Sequence, residues 1–233
     1  MAKCPECNGS GFILKKDKYD EDVWSPCECR KKREAEVSTE IKFTEANIRK
    51  SLRRYTFEDY LKYPFKRKDK LHNAPQIKEF QNYLENPSDF LDNYSVLWIW
   101  GTDANAGHTT LASILGIKLL EFGYKVRFLE IQHLIEAFTK FDEKEVFFTE
   151  LKKFDIYIIN DAFDVDRGHV GGKYSQVHLY QFINDALIDG KHFIMTSNRL
   201  VRDIDKGDLK DFEQSKIIIS RSVKQLEFRG SID

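Results

Sequence analysis

The chain has 233 residues, 41% hydrophobic and 32% charged, with 37 Lys and Arg against 38 Asp and Glu for a formal charge of -1. That length and composition suit one ordinary domain with a filled core plus a small appendage, and a near-zero charge neither requires nor excludes a nucleic-acid partner. The apolar run Val96 to Trp100 is far too short to span a bilayer and the N-terminus has no long apolar stretch, so a soluble, cytoplasmic protein is expected, with no membrane association.

All four cysteines fall within the first 29 residues. Cys4-Pro5-Glu6-Cys7 is a thiolate pair of two-residue spacing. The Asn8-Gly9-Ser10-Gly11 that follows lets the backbone turn so that both sulfurs face one ion. Cys27-Glu28-Cys29 supplies a second pair. Little apolar periodicity lies between the pairs, so a small module over residues 1–30 held by a structural, tetrahedral Zn²⁺ is predicted, free or redox-active thiols being the alternative. Residues 31–54 read as a basic connecting helix. From Arg30 to Arg54 there are nine basic and four acidic residues, which suits either a solvated helix face or a nucleic-acid contact.

Residues 55–233 alternate short apolar runs with amphipathic stretches, the pattern of an α/β domain with a parallel sheet. Strands are predicted at Val96–Trp100, Val126–Leu129, Ile156–Ile159, His192–Met195 and Ile217–Ile219. Helices are predicted at Thr109–Phe122, stopped by Gly123, and near Ile131–Phe138 and Val177–Ile188.

The first strand and helix flank Gly101-Thr102-Asp103-Ala104-Asn105-Ala106-Gly107-His108-Thr109-Thr110, the strand–loop–helix setting in which backbone N–H groups cradle phosphates. The usual G-x-x-x-x-G-K-[ST] is altered: Thr102 stands five before Gly107, Gly101 lies one residue further out, and His108 replaces the lysine. Thr109 keeps the hydroxyl that helps hold Mg²⁺. The next strand ends in Asn160-Asp161 where two acids are usual, which leaves Asp161 as the acidic group and weakens the Mg²⁺ site. Asn198, after Thr196-Ser197, is placed where the γ-phosphate or its attacking water could be sensed. Arg221, after Ile217-Ile218-Ile219-Ser220, is a candidate to act on a neighbouring copy's nucleotide. Local basic clusters such as Lys66-Arg67-Lys68 are candidates for salt-sensitive single-stranded DNA binding.

Taken together, the two cysteine pairs with their flanks, Tyr55-Thr56-Phe57-Glu58-Asp59, the phosphate loop, Ile159-Asn160-Asp161-Ala162-Phe163-Asp164, Thr196-Ser197-Asn198, Ser220-Arg221 and Phe228-Arg229-Gly230 resemble the DnaC/DnaI-type helicase loaders. Phage-encoded members are the most similar, which would place the protein in a host cytoplasm. The resemblance covers nearly the whole chain. It implies an AAA+ core that binds ATP or ADP with Mg²⁺ and self-associates through Arg221. It also implies a role in placing a replicative DNA helicase on single-stranded DNA, with the zinc-bearing part contacting the helicase. By the same resemblance Gly107 and Thr109 serve phosphate and Mg²⁺, Asp161 the acidic site, Asn198 the sensor and Arg221 the finger. His108 and Asn160 depart from the pattern at its two most demanding positions, so slow or absent hydrolysis is expected. A non-hydrolysing adaptor is the main alternative. A transposase-associated ATPase is a further one, against which the cysteine module argues.

Overall fold

A computed structural model describes residues 4–103, 106–139, 144–162, 172–198 and 223–230. The chain divides into two compact units, residues 1–45 and 46–233. No helix among the described residues is long and apolar enough to cross a membrane.

In the first unit, strands β1 (Phe12–Lys16) and β2 (Asp22–Pro26) pair antiparallel, and helix α1 (Glu28–Glu45) follows. The hairpin was not foreseen from the sequence. Its apolar residues Phe12, Leu14 and Trp24 are exposed, so the strands bury almost no core of their own. α1 likewise buries no residue. With so little apolar burial, this unit has no hydrophobic core of its own to hold it together.

The second unit is a five-stranded sheet in the order β4-β5-β6-β3-β7, every neighbouring pair parallel. Its strands are β3 (Val96–Trp100), β4 (Val126–Glu130), β5 (Ile156–Asn160), β6 (His192–Ser197) and β7 (Val223–Glu227). β3 and β5 are almost unbroken apolar runs because helices cover both faces of the sheet. On one face Trp98, Tyr157, Phe193 and Met195 pack with Leu134 and Ile135 of α6 (Ile131–Thr139) and with Leu179 and Ile183 of α8 (Gly172–Ile188); α7 is Lys144–Leu151. On the other lies α5 (His108–Glu121), whose Gly116 sits so close to β5 that a Cβ would overlap Ile158 Cδ1.

Four strands and three helices fall where the residue pattern puts them, and Gly123 takes the positive φ, 93°, that a helix-stopping glycine allows. The predicted strand Ile217–Ile219 lies outside the described residues. β7 was not foreseen, nor were α2 (Phe57–Leu61), α3 (Arg67–Glu85), α4 (Ser88–Leu91) and α7. α3 carries Pro75 inside it and has polar residues along most of its length, which hides it from pattern reading.

Residues 46–54 belong to the second unit. Ala46 O accepts from Phe128 N at 2.7 Å, Asn47 Nδ2 donates to Phe128 O at 3.2 Å, and Ala46 and Ile48 are buried. This segment therefore runs along the outer edge of β4, then leads to α2 near the end of β3.

Candidate functional site

The carboxyl ends of β3, β5 and β6 gather the chemistry-bearing residues. β3 leads through Gly101 into the loop and α5, whose N-cap Gly107 is left-handed at φ 78° and provides no side-chain cap. The first-turn N–H groups of His108, Thr109 and Thr110 thus stand at an uncapped helix N-terminus, the arrangement that attracts anions. Asn105 lies outside the described residues. Gly101 is fixed by its surroundings: a Cβ there would overlap the Phe228 carbonyl oxygen and come within 2.7 Å of His108 Nε2.

The loop is held from two sides. Tyr60, buried on α2, donates its hydroxyl to Ala106 O at 3.1 Å and lays its ring against Gly107. From β7, Phe228 N donates to Trp100 O at 2.8 Å and Gly230 N to Asp103 Oδ2 at 3.3 Å. Asn73 of α3 clamps Arg229 by both its backbone groups, at 2.8 and 2.9 Å. Of these supports the Thr56…Asp59 capping box that starts α2 carries a local sequence signal. Tyr60 and Asn73 are missed, and Phe228 is picked out only within the Phe228-Arg229-Gly230 resemblance and not as a support of the loop, because their contacts join distant parts of the chain.

His108 is largely buried, with Nε2 beside the Phe228 backbone and without hydrogen-bond geometry to any described group. Burial pushes its pKa below the ordinary imidazole value, against the opposing pull of Phe228 and Asp103. The ring is therefore neutral near pH 7 and brings no lysine-like charge.

Thr109 and Asn160 do meet. Thr109 Oγ1 donates to Asn160 Oδ1 at 2.6 Å, and Thr196 Oγ1 donates to the same oxygen at 2.9 Å. Asn160 Nδ2 donates to Asp161 Oδ2 at 2.7 Å, and Asp161 N donates to Thr196 Oγ1 at 3.0 Å. Asp161 takes a left-handed φ of 54°, a conformation uncommon outside glycine. Burial raises its pKa, opposed by Arg49 and by the Asn160 amide. Because β6 lies between β3 and β5, Asn198 at its end emerges between the loop and the Asn160–Asp161 pair, and it is exposed. Arg221 lies outside the described residues. Hydroxyl, amide oxygen and carboxylate are hard oxygen donors of the kind Mg²⁺ takes, so Thr109, Asn160 and Asp161 fit such an ion, with one charge fewer than an acid pair would offer.

In the first unit the sulfurs of Cys4, Cys7, Cys27 and Cys29 all lie within 4.8 Å of one another, with Cys4–Cys27 at 3.9 Å and Cys7–Cys29 at 3.4 Å. Zn–S bonds of about 2.3 Å place tetrahedral sulfurs about 3.8 Å apart, so the cluster fits zinc. The turn is built for it: Asn8, Gly9 and Gly11 have positive φ, and Gly11 N points at Cys7 Sγ at 3.3 Å. Burial resists ionisation of Cys7, but the Gly11 N–H and the neighbouring thiols outweigh it and bring its pKa to about 6. The Cys29 backbone favours a Cys27 thiolate, yet burial and the other three sulfurs push Cys27 up to about 12. Cys7 gives up its proton readily while Cys27 and Cys29 resist, a repulsion that a dication would remove.

No protein-family model matches the sequence, and no curated protein does. Solved structures do match. The DnaC helicase loader superposes with a TM-score of 0.57 at 14% identity, over 78% of this chain and 100% of that one. DnaI gives 0.56 at 11% identity over 78% and 95%. AMPPCP-bound DnaA from Aquifex aeolicus gives 0.56 at 18% identity over 74% and 50%, so the chain spans about half the length of that DnaA. With its parallel β4-β5-β6-β3-β7 sheet and its loop at the end of β3, the chain has the AAA+ P-loop fold of these helicase loaders and initiators.

Proposed function

We propose that the chain is a helicase loader of DNA replication, a nucleotide-binding protein that places a replicative DNA helicase on single-stranded DNA. The observation that carries this reading is the match to the DnaC helicase loader along the whole of that structure. The four-thiol module supports it over a transposase-associated ATPase, and the convergence of loop, Thr109–Asn160 pair and β6 terminus at one end of the sheet supports a nucleotide site.

In this reading Gly101, Asn105, Gly107, His108 and the first turn of α5 receive the phosphates of ATP or ADP, as AMPPCP is bound by the DnaA relative. Thr109 and Asn160 hold Mg²⁺, which supplies charge neutralisation between phosphates. Asp161 orients water, Asn198 senses the γ-phosphate, and Arg221 acts on a neighbouring copy. The neutral imidazole of His108 and the uncharged Asn160 both withhold charge where phosphoryl transfer develops it, so turnover falls further than binding. Zn²⁺ at Cys4, Cys7, Cys27 and Cys29 is structural, and the module that it orders is the part that meets the helicase. The exposed Arg67 and Lys68, with Lys66, at the start of α3 offer phosphate contacts to DNA.

A second reading, a nucleotide-binding adaptor without hydrolysis, is favoured by one contact: Asn160 donates to Asp161, tying up the acid that would orient water. A pull-down with the zinc-loaded chain from extract of its own host, followed by loading of the recovered helicase onto single-stranded DNA, tests the function. No helicase recovered with or without ATP would refute the loader reading. Nucleotide binding without turnover would select the adaptor.

A further inference from the structure

The site lacks a lysine at 108, and the described structure brings another cation to the same end of the sheet. Arg49 lies on the segment that caps the β4 edge. Its Nη2 is 2.9 Å from Glu130 Oε1, at the carboxyl end of β4. Glu130 stands directly opposite Asn160 in the β4–β5 register, one strand spacing of about 4.8 Å away. Asn160 in turn accepts from Thr109, on the first turn of the helix behind the phosphate loop. Arg49 also acts electrostatically on Asp161. Its side chain is 61% exposed, so the guanidinium has open solvent in which to swing from Glu130 toward a stronger anion.

The path of the chain makes this placement systematic. Residue 46 is fixed on the outer edge of β4, and Tyr60 is fixed on Ala106 beyond β3. Between those anchors the chain crosses from the β4 edge to the phosphate loop, and the crossing carries Arg49, Lys50, Arg53 and Arg54. Arg53 is committed to Ile48 O at 2.7 Å. Arg49 is the one whose described partner sits beside the Asn160–Asp161 pair.

We propose that Arg49 is the phosphate-facing cation of this site, exchanging Glu130 for the terminal phosphate of a nucleoside triphosphate and so favouring triphosphate over diphosphate. The proposal rests on the nucleotide-site reading above. A planar guanidinium suits a phosphate's oxygens better than it suits a single carboxylate oxygen, and the triphosphate brings the greater charge.

The test is equilibrium binding of Mg-ATP and Mg-ADP to the full chain, in the original sequence and as Arg49→Ala and Arg49→Lys, with thermal unfolding to verify that each variant is folded. Arg49→Ala should weaken ATP about tenfold while ADP changes less than about threefold. Arg49→Lys should recover most of the ATP preference, which a merely structural role in capping β4 would not predict. Equal losses for ATP and ADP, or no loss, would overturn the assignment while leaving the nucleotide site standing. Failure of the unaltered chain to bind either nucleotide would overturn the nucleotide site and Arg49's role with it.

Discussion

Replacing Asn160 with Asp restores the acid that P-loop sites ordinarily carry, and the structure predicts that it destabilises the empty protein. Asn160 Nδ2 now donates to Asp161 Oδ2 at 2.7 Å. In Asn160→Asp that donor becomes a second carboxylate oxygen facing the first. Two unit charges about 3 Å apart at an effective dielectric of about 20 repel by roughly 5 kcal/mol. Asp161 is exposed and can turn away, and the Thr109 and Thr196 hydroxyls still donate to the new carboxylate, so about 2–3 kcal/mol of net destabilisation is expected. Millimolar Mg²⁺ should return most of it by bridging the two acids. Urea unfolding followed by fluorescence of the buried Trp98 reads this directly, in buffer without and with Mg²⁺ and free of chelator so that the cysteine cluster is not perturbed. Equal stability of variant and parent in Mg²⁺-free buffer would refute the reasoning, because the Asn160–Asp161 contact would then not be what holds the pair together.

The paired change His108→Lys with Asn160→Asp should raise ATP turnover over that of the parent in a steady-state phosphate-release assay, provided that Arg221 can act between copies. Purified chain should carry about one Zn²⁺ by metal analysis, and Cys7→Ser should make residues 4–45 protease-sensitive while the second unit keeps its unfolding transition. Gly101→Ala should cost about 2–4 kcal/mol, since the new Cβ meets the Phe228 carbonyl and forces β7 away from β3; a loss under about 0.5 kcal/mol by thermal unfolding would contradict that packing.

How much could be read in advance depended on where the information lay. β3 and α5 were legible because Val96–Trp100 is an unbroken apolar run and the glycine-bounded loop and an apolar-rich helix follow at once. The cysteine spacing announced its cluster, and the four sulfurs do converge. β7 was not legible: its sequence Val-Lys-Gln-Leu-Glu lies at a sheet edge, half exposed, and the more apolar Ile217–Ile219 drew the strand prediction instead. Asn160 was recognised as a departure, but the sequence could not say that its amide is satisfied by Thr109, Thr196 and Asp161, which lie 51, 36 and 1 residues away. Arg49 was seen only as part of a basic run, because its meaning comes from Glu130, 81 positions later.

The strip formed by residues 46–48 has a consequence for solubility. An open sheet edge with unpaired N–H and C=O groups invites another chain to add a strand, and proteins guard against this by covering the edge. Here Ala46 takes the Phe128 N–H and Asn47 the Phe128 carbonyl, while Ile48 is sealed in the core. A truncated protein started beyond residue 48, a natural choice for a designer seeking the minimal α/β unit, would lay bare both the β4 edge and the apolar seat of Ile48. Such a fragment should aggregate where one started at residue 46 stays monodisperse.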